Sequence, residues 1–336
     1  MHVDAMLHVP IGQAGDRAAA LEAEGYHGLW TAETAHDPFL PLALAAGRTS
    51  TAELGTSIAV GFARNPMTLA NIGWDLQALS GGRFILGLGS QIRPHITKRF
   101  SMPWSHPAAR MNELIRATRA IWQTWLTGEP LRFKGQFYTH TLMTPMFAPS
   151  ASDLGDAGPP LIFLAGVGEL MTETAGEVAD GFICHAFTTA TYLREVTIPA
   201  LQRGRAKAGR DYSGLQVSAP LFVVFDGDDH GLAAVRQQLA FYGSTPAYLP
   251  VLDIHGWGDL HTELNRMSKR GQWVEMAELI DDEVLRTFAV VGTVDEVGDQ
   301  LIERYGDLID RVTITRPAHI DLATWSTLIT RLQPTP

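Results

Sequence analysis

Short apolar runs alternate along this chain with longer amphipathic stretches, the pattern of a parallel sheet whose strands are joined by helices. Val3–Val9 predicts a first strand, and a helix through Arg17–Glu24 stops at Gly25. Gly28-Leu29-Trp30-Thr31 predicts a short buried strand, followed by a helix near Pro41–Thr49 and a third strand over Leu54–Val60. Asn65-Pro66 reads as an N-cap followed by proline at the first helical position. Met67, Ala70, Ile72, Trp74, Leu76 and Leu79 are the apolar positions of that helix, and Gly81-Gly82 ends it. Phe84–Gly89 shows no polar side chain, as expected of a parallel strand covered on both faces.

Further along, a long helix is predicted over Pro107–Thr127, then a hairpin-like excursion over Leu131–Tyr138 and an in-domain loop over Asp153–Pro160. Strands follow at Leu161–Ala165, Gly181–His185, Gln216–Phe225 and, after a helix at Val294–Tyr305, Arg311–Thr315. Eight strands separated by helices predict an α/β fold, a closed (β/α)8 TIM barrel forming one domain over residues 1–336. A doubly wound two-domain dinucleotide enzyme is the main rival. Gly243–Arg286 fits no strand–helix unit and reads as an insertion containing Tyr248, His255, Trp257 and Trp273. An insertion of that length is either a cover or subunit contact, or a pair of packing helices.

Composition narrows the function. Hydrophobic residues make up 46% and charged residues 18%, ample for a large core and unlike a disordered chain. A net charge of −10 with scattered basic residues argues against nucleic acid as the main partner. The single cysteine, Cys184, excludes an internal disulfide, and no Cys, His or carboxylate spacing suggests a metal site. No GxSxG motif supports a nucleophilic triad. The N-terminus lacks the basic start and apolar run of a signal peptide, and no stretch reaches the roughly 20 apolar residues that span a bilayer. A cytoplasmic protein acting on a small molecule, without a membrane partner, is expected.

In a barrel of this kind, chemistry sits at the C-terminal ends of the strands. Ala165-Gly166-Val167-Gly168 follows an apolar strand and opens a helix, so its backbone can approach an anion such as phosphate; a tight turn without a ligand is the plainer alternative. Glu169, next in sequence, suits that role only if its carboxylate points away. Gly87 and Gly89 clear one face of the fourth strand, either for a flat ring or for barrel packing, and place Ser90 and Gln91 at the rim. Glu33, His36 and Asp37 share the loop after the second strand. Glu33 and His36 are acid–base candidates, while Asp37 reads as a helix cap. His185 ends the sixth strand, and alternation allows only one of Cys184 and His185 to face inward; a hydrogen-bonded core histidine is the alternative to a catalytic one.

The runs Leu54-Gly55-Thr56-Ser57-Ile58-Ala59-Val60, Arg64-Asn65-Pro66, Leu79-Ser80-Gly81-Gly82-Arg83-Phe84 and Gly87-Leu88-Gly89-Ser90 resemble the luciferase-like flavin and deazaflavin oxidoreductases. Ala165-Gly166-Val167-Gly168, Ala179-Asp180-Gly181 and Val291-Gly292-Thr293 extend the likeness over nearly the whole chain, most closely to the actinobacterial branch that uses coenzyme F420. The resemblance implies a non-prolyl cis peptide at Ser57–Ile58 behind the deazaflavin ring, the coenzyme phosphate over Gly166, Val167 and Gly168, and Glu33 and His36 beside ring and substrate. It also implies a homodimer, for which the Trp74 helix and the insertion are candidate faces. Gln91 departs from family members that carry a glutamate there and act on sugar phosphates, so that substrate and its proton relay are not expected. The expected activity is hydride transfer between the deazaflavin C5 and an organic substrate. The alternatives are a two-component monooxygenase using FMN and a non-catalytic flavin carrier.

Overall fold

Eight parallel strands close on themselves: β1 (His2–Met6), β2 (Gly28–Thr31), β3 (Glu53–Thr56), β4 (Phe84–Gly89), β5 (Leu161–Ala165), β6 (Gly181–Ile183), β7 (Gln216–Pro220) and β8 (Arg311–Thr313). Each pairs with its neighbours in chain order, β8 returns to β1, and β3 pairs directly with β4, so no edge is left open. The computed structural model describes residues 1–333.

The helices form where their end signals place them. Pro66–Leu79 starts in a capping box in which Asn65 accepts from the Thr68 amide and Thr68 returns to the Asn65 backbone. Pro107–Thr127 ends at Gly128, which adopts the left-handed conformation glycine permits. Val294–Tyr305 begins with a second capping box, from Thr293 and Glu296. The predicted excursion is an antiparallel pair, Phe133–Lys134 with Thr139–His140. Trp74 is buried edge-on against Trp125 within the chain, so its indole belongs to the core.

The barrel interior is filled in layers. At the N-terminal end Arg311 grips Asp4 through two bonds of 2.8 and 2.9 Å, reaches Glu53, and shares Asp4 with the Trp30 indole N–H at 2.9 Å. Above lie Trp30, Ile85, Phe163 and Ile183, with Met6, Ile58 and Ala165 packed against them toward the mouth.

Two predicted strands are broken, and both breaks shape the site. Leu54–Val60 stops at Thr56, passes through a cis peptide at Ser57–Ile58 and resumes as Ala59–Val60 beside Leu88-Gly89. Gln216–Phe225 leaves the barrel after Pro220, and Phe222–Phe225 pairs instead with Ala289–Gly292, a strand that the sequence pattern does not separate from its surroundings. Between those two strands runs an excursion wider than 243–286. It comprises helices Asp229–Gly243, Leu249–Asp253, Gly258–Ser268 and Asp282–Phe288 around a core of Leu239, Leu252, Leu264, Met276, Leu285 and Phe288.

Candidate active site

The cis Ser57–Ile58 segment is held from three sides. The Ser57 amide donates to the Thr31 carbonyl at 2.6 Å, and the Glu33 amide donates to the Ile58 carbonyl at 3.1 Å. The Thr56 hydroxyl donates to the Gly87 carbonyl at 2.6 Å and accepts from the Gly87 amide at 3.0 Å, replacing the ladder that the break removes. Gly87 and Gly89 are explained by this packing. A Cβ on Gly87 would lie 1.7 Å from the Thr56 carbonyl oxygen, and one on Gly89 would lie 2.8 Å from the Ile58 side chain. The space they clear is therefore taken by the bulge, and Ile58, rather than a bare glycine, presents itself toward the mouth.

Glu33 fastens the same bulge. Its carboxylate, almost fully buried, accepts from the Val60 amide at 2.7 Å and from Arg64 at 2.6 Å, and Arg64 reaches Asp37 at 3.2 Å. Asp37 also accepts from the Phe39 and Leu40 amides at the start of helix Phe39–Ala46, the capping duty expected of it. Arg64 was visible in sequence only as part of the family run. Its bridging role needs two loops 27 residues or more apart to meet. We expect Glu33→Ala to lose about 2–3 kcal/mol in urea unfolding, since it strands a buried amide and a half-buried guanidinium. Glu33→Gln, which still offers an acceptor to Val60, is expected to lose about half as much. A Glu33→Gln protein of unchanged stability that has lost turnover would instead give this carboxylate a part in proton transfer.

His36 lies exposed on the same loop and makes no hydrogen bond among the described residues. Ser90 donates to the Gln91 carbonyl at 3.1 Å, and Gln91 takes a left-handed φ of 59° while its side chain accepts from the Ile92 amide. The rim loop then runs through a π-helical turn, His95–Arg99, and Arg99 bonds the Thr34 carbonyl, tying the loops after β2 and β4 together over the mouth.

Beside it, at the end of β5, Ala165-Gly166-Val167-Gly168 leads into helix Glu169–Val178, whose N-cap residue Gly168 supplies no side-chain cap. The first-turn amides therefore face the loop without a side-chain acceptor. Glu169 turns away to pair with Arg203, which removes the objection to an anion here. Gly166 and Val167 line a crevice of about 20 Å³ with Thr172, His185, Thr188 and Tyr192. The Thr188 hydroxyl is buried and has no partner among the described residues, an exception to the rule that buried polar groups are bonded. Nothing in the local sequence marks Thr188; only the packing of its loop against Gly166 does.

His185 continues the inward face of β6 beyond Gly181 and Ile183, while Cys184 turns into the outer core, where burial pushes its thiol up to about 12. His185 stacks on Tyr248 at 4.5 Å, meets Tyr242 edge-on at 4.6 Å, and burial pushes its imidazole down to about 4. The excursion is thus both a packed body and a cover, since one edge of it brings two tyrosines to the mouth. His255 stays apart, bonded to Thr189 at 2.9 Å and stacked on Trp257. Among the described residues no group of three or more His, Cys, Asp or Glu side chains could hold a metal ion, and no helix is long and apolar enough to cross a membrane.

Comparison with known proteins agrees with this architecture. The family model described as luciferase-like monooxygenase matches residues 2–311. An uncharacterized protein of Mycobacterium tuberculosis (strain H37Rv) is 56% identical over 316 residues, covering 93% of this chain and 92% of the relative. The 5,10-methylenetetrahydromethanopterin reductase of Methanopyrus kandleri is 26% identical over 289 residues, 82% of this chain and 80% of that one. A solved structure of the coenzyme F420 dependent tetrahydromethanopterin reductase from Methanopyrus kandleri shares the fold with a TM-score of 0.76 at 20% identity, covering 98% of this chain and 96% of the other. With a bulged eight-stranded barrel and a family match across almost its whole length, the chain belongs to the luciferase-like monooxygenase family.

Proposed function

We propose that this enzyme is a coenzyme F420-dependent oxidoreductase that transfers hydride between the deazaflavin C5 and a small organic substrate. The observation that carries the reading is a pair of features on the same side of the mouth, flanking the end of β4. Ile58 caps the bulge after β3, and after β5 the helix Glu169–Val178 opens without a side-chain cap beside a narrow crevice that holds the orphaned Thr188 hydroxyl, where backbone amides can meet an anion. The residues present fit the coenzyme: Ile58, packed over Gly89, would back a flat ring, and the amides of Gly166, Val167 and Gly168, with Thr188, would hold its phosphate. When bound, the coenzyme supplies a two-electron hydride carrier. The chain's own residues orient it, exclude water and hold protons near the reacting atoms. That the Methanopyrus kandleri structure is of a coenzyme F420 dependent reductase, and that the relative from the same organism is a reductase, supports the choice of deazaflavin over FMN.

The test is binding, read by quenching of the protein's tryptophan fluorescence. Coenzyme F420 is expected to bind and FMN to bind at least tenfold more weakly. Thr188→Val, isosteric without the hydroxyl, is expected to weaken coenzyme binding about 10-fold, the worth of one hydrogen bond to a charged group, and to leave riboflavin, which lacks a phosphate, unaffected. Tight FMN binding with oxygen uptake, and none of F420, overturns the reading in favour of a monooxygenase.

A further inference from the structure

One backbone amide sets the direction of a hydrogen-bond chain at the mouth. The Phe187 N–H donates to His185 Nδ1 at 3.0 Å, so that nitrogen carries no proton. The neutral ring then has its proton on Nε2, which lies 3.0 Å from Tyr248 Oη and donates to it. Having accepted there, Tyr248 directs its own O–H elsewhere, and among the described residues nothing receives it. The pair stands at the right place for a substrate. Ile183 packs inside the barrel beside Ile58, and His185 lies two residues further on the same face, about 7 Å nearer the mouth.

The surroundings of the pair are aromatic. Tyr242 lies 5.8 Å from the Tyr248 ring, and Phe187 lies 5.7 Å from it. Burial alone lowers His185, and burial followed by Tyr242 raises Tyr248, to about 12. Among the described residues neither side chain is bonded to a charged group, so an uncharged substrate oxygen is the partner that suits the free Tyr248 O–H.

Resting on the oxidoreductase reading, we propose that Tyr248 donates a hydrogen bond and then its proton to the oxygen of an uncharged carbonyl substrate, with His185 as its positioning residue. As hydride from the reduced deazaflavin adds to the carbonyl carbon, the C=O π pair moves to oxygen. The Tyr248 O–H bond breaks, the alcohol O–H bond forms, and the phenolate keeps its bond from His185 Nε2–H until solvent reprotonates it. The carbonyl carbon is reduced by two electrons and the deazaflavin oxidised by two. A phenol that stays protonated at neutral pH is a suitable acid toward a developing alkoxide, which is the stronger base.

The experiment compares the wild type with Tyr248→Phe, His185→Gln and the control Tyr242→Phe, using reduced coenzyme F420 with cyclohexanone and benzaldehyde as neutral probes and pyruvate as the charged one. The wild type is expected to reduce a neutral probe and not pyruvate. Tyr248→Phe is expected to bind coenzyme within threefold of wild type yet lose about 100- to 10,000-fold in kcat. His185→Gln is expected to lose less, in kcat with KM within threefold of wild type, while Tyr242→Phe changes little. Independently of turnover, ¹⁵N NMR of the coenzyme-free protein is expected to show His185 neutral at pH 6, with its proton on Nε2. Turnover by Tyr248→Phe within threefold of wild type, preference for pyruvate, failure to reduce any neutral probe while coenzyme binds, or a His185 protonated at pH 6 each overturns the proposal alone. A wild type that binds no deazaflavin overturns the oxidoreductase reading, and this proposal with it.

Discussion

Arg311→Ala is expected to lose about 3–5 kcal/mol of folding stability, read as a fall in the urea midpoint at unchanged slope. Asp4 is wholly buried and Arg311 nearly so, and the guanidinium meets the Asp4 carboxylate through two parallel bonds at the floor of the barrel. Removing the arginine leaves Asp4 with only the Trp30 N–H, an uncompensated charge in a low-dielectric interior. The floor is also tight: a Cβ on Gly28 would lie 2.5 Å from an Arg311 nitrogen and 2.6 Å from an Asp4 oxygen. The double change Asp4→Leu with Arg311→Met, which removes both charges and restores apolar volume, is expected to recover most of the loss. Equal losses in the single and double variants would mean that packing, and not the unpaired charge, sets the cost.

Gly87→Ala is expected to cost about 3 kcal/mol or more, at the upper end for overpacking, because its obstacle is backbone. The added methyl would meet the Thr56 carbonyl at 1.7 Å, and that carbonyl precedes the cis peptide. Relief requires the strand end to move, and the Thr56 hydroxyl then loses both of its bonds to Gly87. Gly89→Ala meets only the Ile58 side chain, which has rotamers to spare, and is expected to cost about 1 kcal/mol. Coenzyme binding is expected to fall in both variants, and further in Gly87→Ala. Urea unfolding together with fluorescence titration checks the pair; similar stabilities for the two would show that the bulge yields more readily than its contacts imply.

Local pattern carried much of the fold. Asn65-Pro66, Gly128 and Thr293 act within one turn of their own position, so the helices Pro66–Leu79, Pro107–Thr127 and Val294–Tyr305 begin and end as their capping residues direct. The strand-and-helix alternation likewise sufficed for a closed barrel, since eight covered parallel strands have few other ways to bury both faces. The cis Ser57–Ile58 peptide was legible only through family likeness, because no dihedral preference of serine or isoleucine announces it.

Other features depend on residues far apart in the chain. Glu33 reads in isolation as a free acid at the rim, and becomes a fastening of the bulge only when Val60 and Arg64 arrive beside it. Thr188 is an ordinary threonine until burial strips its hydroxyl of water opposite Gly166. Tyr248 reaches His185 from 63 residues away, across an excursion whose path is set by its own apolar core and by a sheet pairing of Phe222–Phe225 with Ala289–Gly292. Periodicity and capping are short-range and repeat along one dimension, so they can be read in order. Hydrogen-bond direction, charge pairing and the loss of water depend on which atoms meet in three dimensions, and no linear pattern encodes that meeting.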